Sequence, residues 1–398
     1  MKSKTILLCG AAATLAIASV PANAANIILV DQGGVTGSAA AQGFQIAANY
    51  WSSILTNNAT IYLGVKYSAL PTGVIGSTGS RRIDQTVASW ESRINATKSN
   101  SAIDQNIVLP SLTGGGASFI TNGVSADGTD DTSTQQYIAG TSGSSQVLYQ
   151  NSALLKALGV NVASPTTLDG NVSFSSTFAF DFNPSDGIDA NTFDFIGVAI
   201  HEIGHALGFV SGVDFLDYYG DPNGPGRNAL TYSLNDTSIY SALDMFRYSN
   251  DPNNLAPGNG PSLDLAVGGT KYFSVDGGAT ALYGNTMSTG AYNGDGRQAS
   301  HWKDTSSAQG GCVDQIGIMD PTFCFGQMGV VKGLDLAAFD AIGWNLSVAA
   351  NQNYSRSTAQ IYLAAIPEPA TWAMMIAGFG FIGGSMRVRR RSVSFAAA

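Results

Sequence analysis

One stretch decides what the rest of the chain must build around: Asp194-Phe-Ile-Gly-Val-Ala-Ile-His201-Glu202-Ile-Gly-His205-Ala-Leu-Gly208-Phe. Phe195, Ile196, Val198, Ile200, Ile203 and Leu207 recur close to helical spacing on a segment apolar enough to be buried. Asn191 and Thr192 stand just upstream as candidate caps, and Asp194 falls in the first turn, where negative charge suits the helix dipole. Gly208 can end the helix in a left-handed cap. His201 and His205 are four apart, so their imidazoles project from one face. An apolar helix does not carry two histidines and a glutamate without partners for them. Two imidazoles so placed can hold one zinc ion, with Glu202 beside them as a base that is not itself a ligand.

Both ends of the chain read as targeting segments. Met1 to Lys4 is charged, Thr5 to Val20 is apolar, and Ala22-Asn23-Ala24 offers a small-x-small cleavage site: a secretory signal peptide over residues 1–24, to be removed by signal peptidase. At the other end, Pro367-Glu368-Pro369-Ala370-Thr371-Trp372-Ala373 precedes an uncharged run and then Arg387-Val-Arg389-Arg390-Arg391. The run is barely long enough to span a bilayer, and the arginines would mark its cytoplasmic side. Residues 367–391 thus read as a sorting segment that includes a transmembrane run, and 392–398 as a short tail.

Composition suits an exported protein. Charged residues are 12% of the chain and glycines number 47. Loss of Lys2 and Lys4 at one end, and of Glu368 with four arginines at the other, would take the net charge from −9 to −14. Such a surface excludes nucleic acid as a partner. Cys9 would leave with the signal peptide. Cys312 and Cys324 then remain, and in an oxidising compartment a single pair most simply forms one disulfide.

Between the ends, residues 25–350 read as one α+β domain with a mixed β-sheet, and 351–366 as a linker. Asn26 to Asp31 reads as a buried first strand and Ala39 to Leu55 as a helix with Phe44, Ala47, Ala48, Trp51 and Leu55 on one face. Ala59 to Leu70 reads as a strand, Asp84 to Ala96 as a helix, and 110–146 mostly as loop. Ser152 to Leu158 reads as a short helix, and Val172 to Phe182 as an edge strand. The turns at 181–194 and 217–221 are rich in Asp. They could hold Ca²⁺, but they do not match the EF-hand spacing, and solvated turns account for them better.

A catalytic zinc usually takes three protein ligands and keeps one position open. In the extended pattern His-Glu-x-x-His-x-x-Gly-x-x-His, the third ligand would stand at Ser211, a poor donor. Asp214 is near but out of register. The only other histidine in the chain is His301, in Ala299-Ser300-His301-Trp302. Downstream come Gly317-Ile318-Met319-Asp320-Pro321 and Gly333-Leu-Asp335-Leu-Ala-Ala-Phe-Asp340-Ala-Ile-Gly343-Trp344.

These motifs resemble the metzincin zinc proteases, in particular the leishmanolysin-like members, where a long insertion precedes a Ser-His-Trp third ligand. The tail resembles the PEP-CTERM sorting signal of Gram-negative bacteria, and a bacterial metalloprotease group combines the two. The resemblance implies a zincin catalytic domain in which His201, His205 and His301 hold one zinc and Glu202 is the general base. Met319 would be the methionine of the turn beneath the metal, 212–298 the insertion, and Ala337 to Trp344 part of the final helix. The methionine turn lacks a tyrosine soon after Met319. It also implies an exosortase-type enzyme as partner, transient inner-membrane association, and delivery to the cell surface or extracellular matrix. The function so read is zinc-dependent hydrolysis of peptide bonds in a protein or peptide substrate. Two alternatives stay open: a zincin with Asp214 as third ligand, and a surface or matrix structural protein with a non-catalytic metal site.

Overall fold

The computed structural model describes residues 24–123, 134–220, 225–226, 238–304, 315–366 and 378–379. The expected signal peptide, Cys9, Cys312 and nearly all of the sorting tail lie outside these. Among the described residues no helix is long and apolar enough to cross a membrane.

The architecture is mixed α/β, with one four-stranded sheet and several two- and three-stranded ones. β1 (Asn26–Gly33) lies parallel to β2 (Thr60–Ser68), with Leu29 opposite Leu63. Helix α1 (Ala39–Ile54) makes the crossover between them. A parallel pair needs such a connection. On the other flank of β2 lies the strand Gly170–Ser175, also parallel, and beyond it β3 (Gly76–Ser80), antiparallel, forms the edge.

The stretch Val172 to Phe182 is therefore not an edge strand. Its first part is interior, with Val172 and Phe174 fully buried, and it stops at Ser175. The alternating serines suggested a half-solvated strand. Ser175 is itself buried, and its hydroxyl is satisfied by Thr177. The alternation resumes only as a two-residue strand, Phe180–Asp181, paired with Phe193–Asp194.

Other boundaries also moved. The segment expected to be helical from Asp84 begins as strand β4 (Arg82–Thr86), paired with Val147–Asn151. The Thr86 hydroxyl then accepts from Ser89 N and caps α2 (Val87–Thr97). Within 110–146, Leu112–Thr113 pairs with Gly116–Ala117, and Phe119–Asn122 with Gln135–Ile138. The expected linker 351–366 is folded. Ser355–Ser357 pairs with Val330–Lys332, and Thr358–Ala365 is a helix closed by a reciprocal Ser357/Gln360 capping box.

At the centre of the main core lies one helix, Phe195–Leu207, hereafter the site helix, all of whose residues are buried. Its start is held by the rings of Phe44 and Phe174, whose centroids lie 5.0 and 4.8 Å from that of Phe195. Such pairs add about 0.5–1.5 kcal/mol each beyond their buried area. A Cβ on Gly43 of α1 would fall 2.3 Å from the Phe195 ring, so this approach requires glycine. Two tryptophan indoles donate to its backbone, Trp51 to Ile200 O at 3.0 Å and Trp344 to Leu207 O at 2.9 Å. Trp344 follows the closing helix Gly333–Ile342, whose Phe339 ring sits 4.5 Å from Trp51.

Candidate metal centre

The site helix starts and stops where side-chain chemistry allows. Its N-cap is Asp194, not Asn191 or Thr192. One carboxylate oxygen accepts from Gly197 N at 2.9 Å; the other accepts from Gly329 N at 2.9 Å and the Thr358 hydroxyl at 2.5 Å. Burial nonetheless pushes the Asp194 carboxyl above its ordinary range. At the far end Gly208 adopts φ +125°, a conformation open to glycine and strained for other residues.

His201, His205 and His301 come together and are all buried. Their Nε2 atoms lie 3.0, 3.1 and 3.3 Å apart. Each Nδ1 faces a backbone carbonyl: Ile318 O at 2.8 Å for His201, Phe209 O at 2.6 Å for His205, and Gln298 O at 3.1 Å for His301. A carbonyl only accepts, so each Nδ1 carries the proton and each Nε2 presents a lone pair. Three lone pairs converging in a buried space repel one another unless a cation sits among them. Tetrahedral zinc with Zn–N bonds of 2.0–2.1 Å sets its ligands about 3.3 Å apart. The donor set and its spacing fit that ion.

Burial also keeps the rings neutral. It pushes His201 down to about 4 and His301 down to about 3, and holds His205 well below its usual value. Glu202, on the same helix, is pushed up to about 7, mainly by burial and against the pull of Thr78. The Thr78 hydroxyl lies 2.7 Å from Glu202 Oε2 and 2.9 Å from its backbone oxygen, and its one proton serves these two acceptors. Thr78 belongs to β3, which runs past the helix. A Cβ on Gly76 would fall 3.0 Å from Glu202 Oε1, so the strand passes close to the glutamate at this position.

The third histidine is placed by the expected insertion. Asp214 accepts from Ala299 N at 2.5 Å, from Ser300 N at 3.1 Å and from the Ser300 hydroxyl. It therefore anchors the loop carrying His301 and is not a ligand, as the alternative reading had it. Ser300 Oγ in turn accepts from Ser211 N at 2.8 Å. Arg247, fully buried on the insertion strand Arg247–Ser249, donates to Ser288 O at 2.5 Å and Ala299 O at 3.4 Å. Beneath the site, Asp335 accepts from Trp302 Nε1 at 2.8 Å, Ile318 N at 2.8 Å, Met319 N at 3.2 Å and Lys332 N at 2.8 Å. Met319 is fully buried against the site helix, where a Cβ on Gly204 would fall 2.7 Å from its sulfur.

The site opens on a cleft of about 750 Å³ whose lining includes all three histidines, Glu202, Thr78, Arg82, Tyr218 and Phe323. Cys324 is disulfide-bonded. Two carboxylates of the Asp-rich turns, Asp181 and Asp217, are taken up by the protein's own donors. Asp181 accepts from Asn183 N and Asp189 N, and Asp217 from Tyr292 N and from the backbone and side chain of Asn293. Thr78, Asp214 and Asp335 carry roles the sequence did not disclose. The capping box over Ser357 and Gln360 was readable and would have marked the terminal helix.

Comparison with protein families identifies one segment. Residues 365–391 match the PEP-CTERM protein-sorting motif. This marks an exported protein, recognised by an exosortase-type sorting enzyme and sorted to the surface or exterior of a Gram-negative bacterium. Comparisons with curated proteins and with solved structures returned no match.

Proposed function

We propose that this exported chain is a zinc-dependent endopeptidase with the metzincin arrangement, acting at the cell surface or outside the cell. One observation carries the reading: three deprotonated imidazole nitrogens, fixed by carbonyls on their far sides, converge at zinc spacing in an open cleft, beside Glu202. His201, His205 and His301 would hold the metal. When bound, zinc supplies the positive charge that polarises a scissile carbonyl and makes water more acidic.

The remaining work falls to the chain's own groups. Glu202 takes a proton from the attacking water and returns it to the leaving amine. Thr78 holds one of its oxygens, so the other is free to face the cleft. A base whose pKa sits near neutrality both accepts and releases a proton readily. Among the described residues the edge strand β3 has an unpaired side, along which an extended peptide could align. A purely structural metal site would have no use for a buried carboxylate lining the same cleft.

The test is metal analysis of the exported protein together with proteolysis of a casein-type substrate, with and without chelator, for the native chain and Glu202→Gln. The reading expects about one zinc in both forms and a rate reduced roughly 10²–10⁴-fold in the variant. Zinc in both forms with no cleavage by either would establish the structural metal site instead. An active Glu202→Gln protein would remove the helix as the catalytic centre.

A further inference from the structure

We propose that Arg82 selects the substrate, receiving an acidic side chain of the bound peptide in the cleft. The inference rests on the endopeptidase reading and adds a substrate class to it. Arg82 is the first residue of β4 and pairs with Asn151. The Asn151 amide donates to His205 O at 2.9 Å and Ala206 O at 3.0 Å. These bonds fix the strand beside the C-terminal end of the site helix, and the arginine lines the same cleft as the histidines.

Its guanidinium lacks an acceptor. Among the described residues it makes no hydrogen bond and no ion pair, and its guanidinium carbon lies over the Tyr149 ring, 5.9 Å from the ring centroid. Two carboxylates, Asp214 and Asp244, lie close enough to favour its charge, yet both are spent elsewhere. Asp214 holds the Ala299–Ser300 backbone, and Asp244 takes the Ser211 hydroxyl at 2.5 Å and the amides of Gly212 and Ser241 at 2.8 Å. In a chain with 28 acidic residues against 19 basic ones, an unpaired arginine does not reflect a shortage of carboxylates. Lys156, Lys271, Arg297 and Lys303 each have an acidic partner.

A guanidinium offers five N–H donors in a planar fork that matches a carboxylate in two parallel bonds. Of the described side chains lining the cleft, Arg82 is the only lysine or arginine. Phe323 and Pro321 also line the cleft, with the Phe323 ring 6.1 Å from that of His201. Arg82 lies near His205, whose charge it disfavours. A peptide with Glu or Asp over the His205 end supplies what Arg82 lacks.

The experiment uses the full exported chain and a set of quenched fluorogenic octapeptides, identical except for Glu or Gln at each position in turn. At one position Glu should be favoured over Gln in kcat/KM by roughly 10- to 100-fold, the range for a charge-assisted pair in a partly desolvated site. Arg82→Gln should bring that ratio close to one. Arg82→Lys should keep part of it, and Arg82→Glu should prefer Lys at the same position. Zinc content and thermal melting of each variant establish that it is folded. The same peptides, labelled for anisotropy, are bound to Glu202→Gln and to Glu202→Gln/Arg82→Gln, which reads affinity without turnover. If nothing is cleaved but the double variant loses a preference for Glu, the endopeptidase reading fails and Arg82 stands as an acidic-peptide receptor. If peptides are cleaved with a Glu/Gln ratio that Arg82→Gln leaves unaltered at every position, the Arg82 inference is overturned and the endopeptidase reading stands.

Discussion

The three histidines reach one point by two different constructions. His201 and His205 are placed by a single helix, and their relation is a matter of 3.6 residues per turn. His301 comes 96 residues after His205, on a stretch without regular structure. Its position depends on side chains that grip the loop backbone: half-buried Asp214 on one side, and buried Arg247 behind and Asp335 through Trp302 below. Helix geometry is carried by local hydrogen bonds. Loop geometry has to be imposed from outside, and here the means is the carboxylate, which accepts several N–H donors at once.

The comparison breaks most sharply at the ligands themselves. His205→Ala should abolish zinc retention and activity together, because it removes a donor from the half of the site that is rigid. His301→Ala should lose activity equally but leave a weak two-histidine site, so residual zinc binding should be measurable by competition with a chromophoric chelator. Equal, complete retention of zinc by either variant would mean the triad does not bind the metal.

Asp335→Ala comes next. It strands the amides of Ile318, Met319 and Lys332 and the Trp302 indole at once. Each buried unsatisfied group costs about 1–3 kcal/mol, comparable in sum with the stability of a whole domain. The variant should fail to fold or melt far below the native protein in calorimetry. A melting temperature within a few degrees of native would show that the methionine turn and the His301 loop hold without this hub.

Asp214→Asn is milder. The amide keeps one acceptor oxygen but loses the charge and one set of lone pairs. Positioning groups behind metal ligands are typically worth 10–100-fold in metal affinity. Zinc affinity should fall by that factor while the site helix keeps its hydrogen-exchange protection and the amides of 299–302 exchange faster. Uniform exchange across both regions would erase the distinction between helix and loop.

The same contrast separates what the sequence disclosed from what it did not. The i, i+4 pair, the Gly208 stop and the faces of α1 follow from periodicity, because the physics that places them is local. His301 stood out because the chain has no other free histidine, not because anything nearby marks its position. Asp214 was visible only as an acid near the motif, and a sequence cannot distinguish a carboxylate that binds metal from one that binds backbone. β3 was missed because Gly-Ser-Thr-Gly-Ser has no strand signature. One of its glycines, Gly76, lies against Glu202, far away in sequence. Thr358 was assigned to a linker, although it closes the cap of the site helix through Asp194.

The smallest effect tests whether burial alone makes a carboxylate an anchor. Asp340, on the closing helix, is buried like Asp335 but has a single donor, the Ser101 hydroxyl at 2.5 Å, and its Oδ1 has no partner. Burial pushes it up to about 7, with Asp104 adding repulsion. The folded-state pKa is raised above the ordinary value, so folding favours the protonated form. The stability this contributes is fully present below about pH 4 and is lost as pH rises through about 7. A displacement of about three pKa units sets a ceiling of ~4 kcal/mol on that loss, and relaxation around Oδ1 reduces it. Asp340→Asn should therefore cost little at pH 4, raise the melting temperature by a few degrees at pH 8, and flatten the decline between them. Asp214→Asn, whose carboxylate has three donors, should not stabilise at pH 8. If Asp340→Asn destabilises there by as much as Asp214→Asn, then Asp340 is an anchor too. The number of donors around a buried carboxylate would then not be what holds this fold's loops in place.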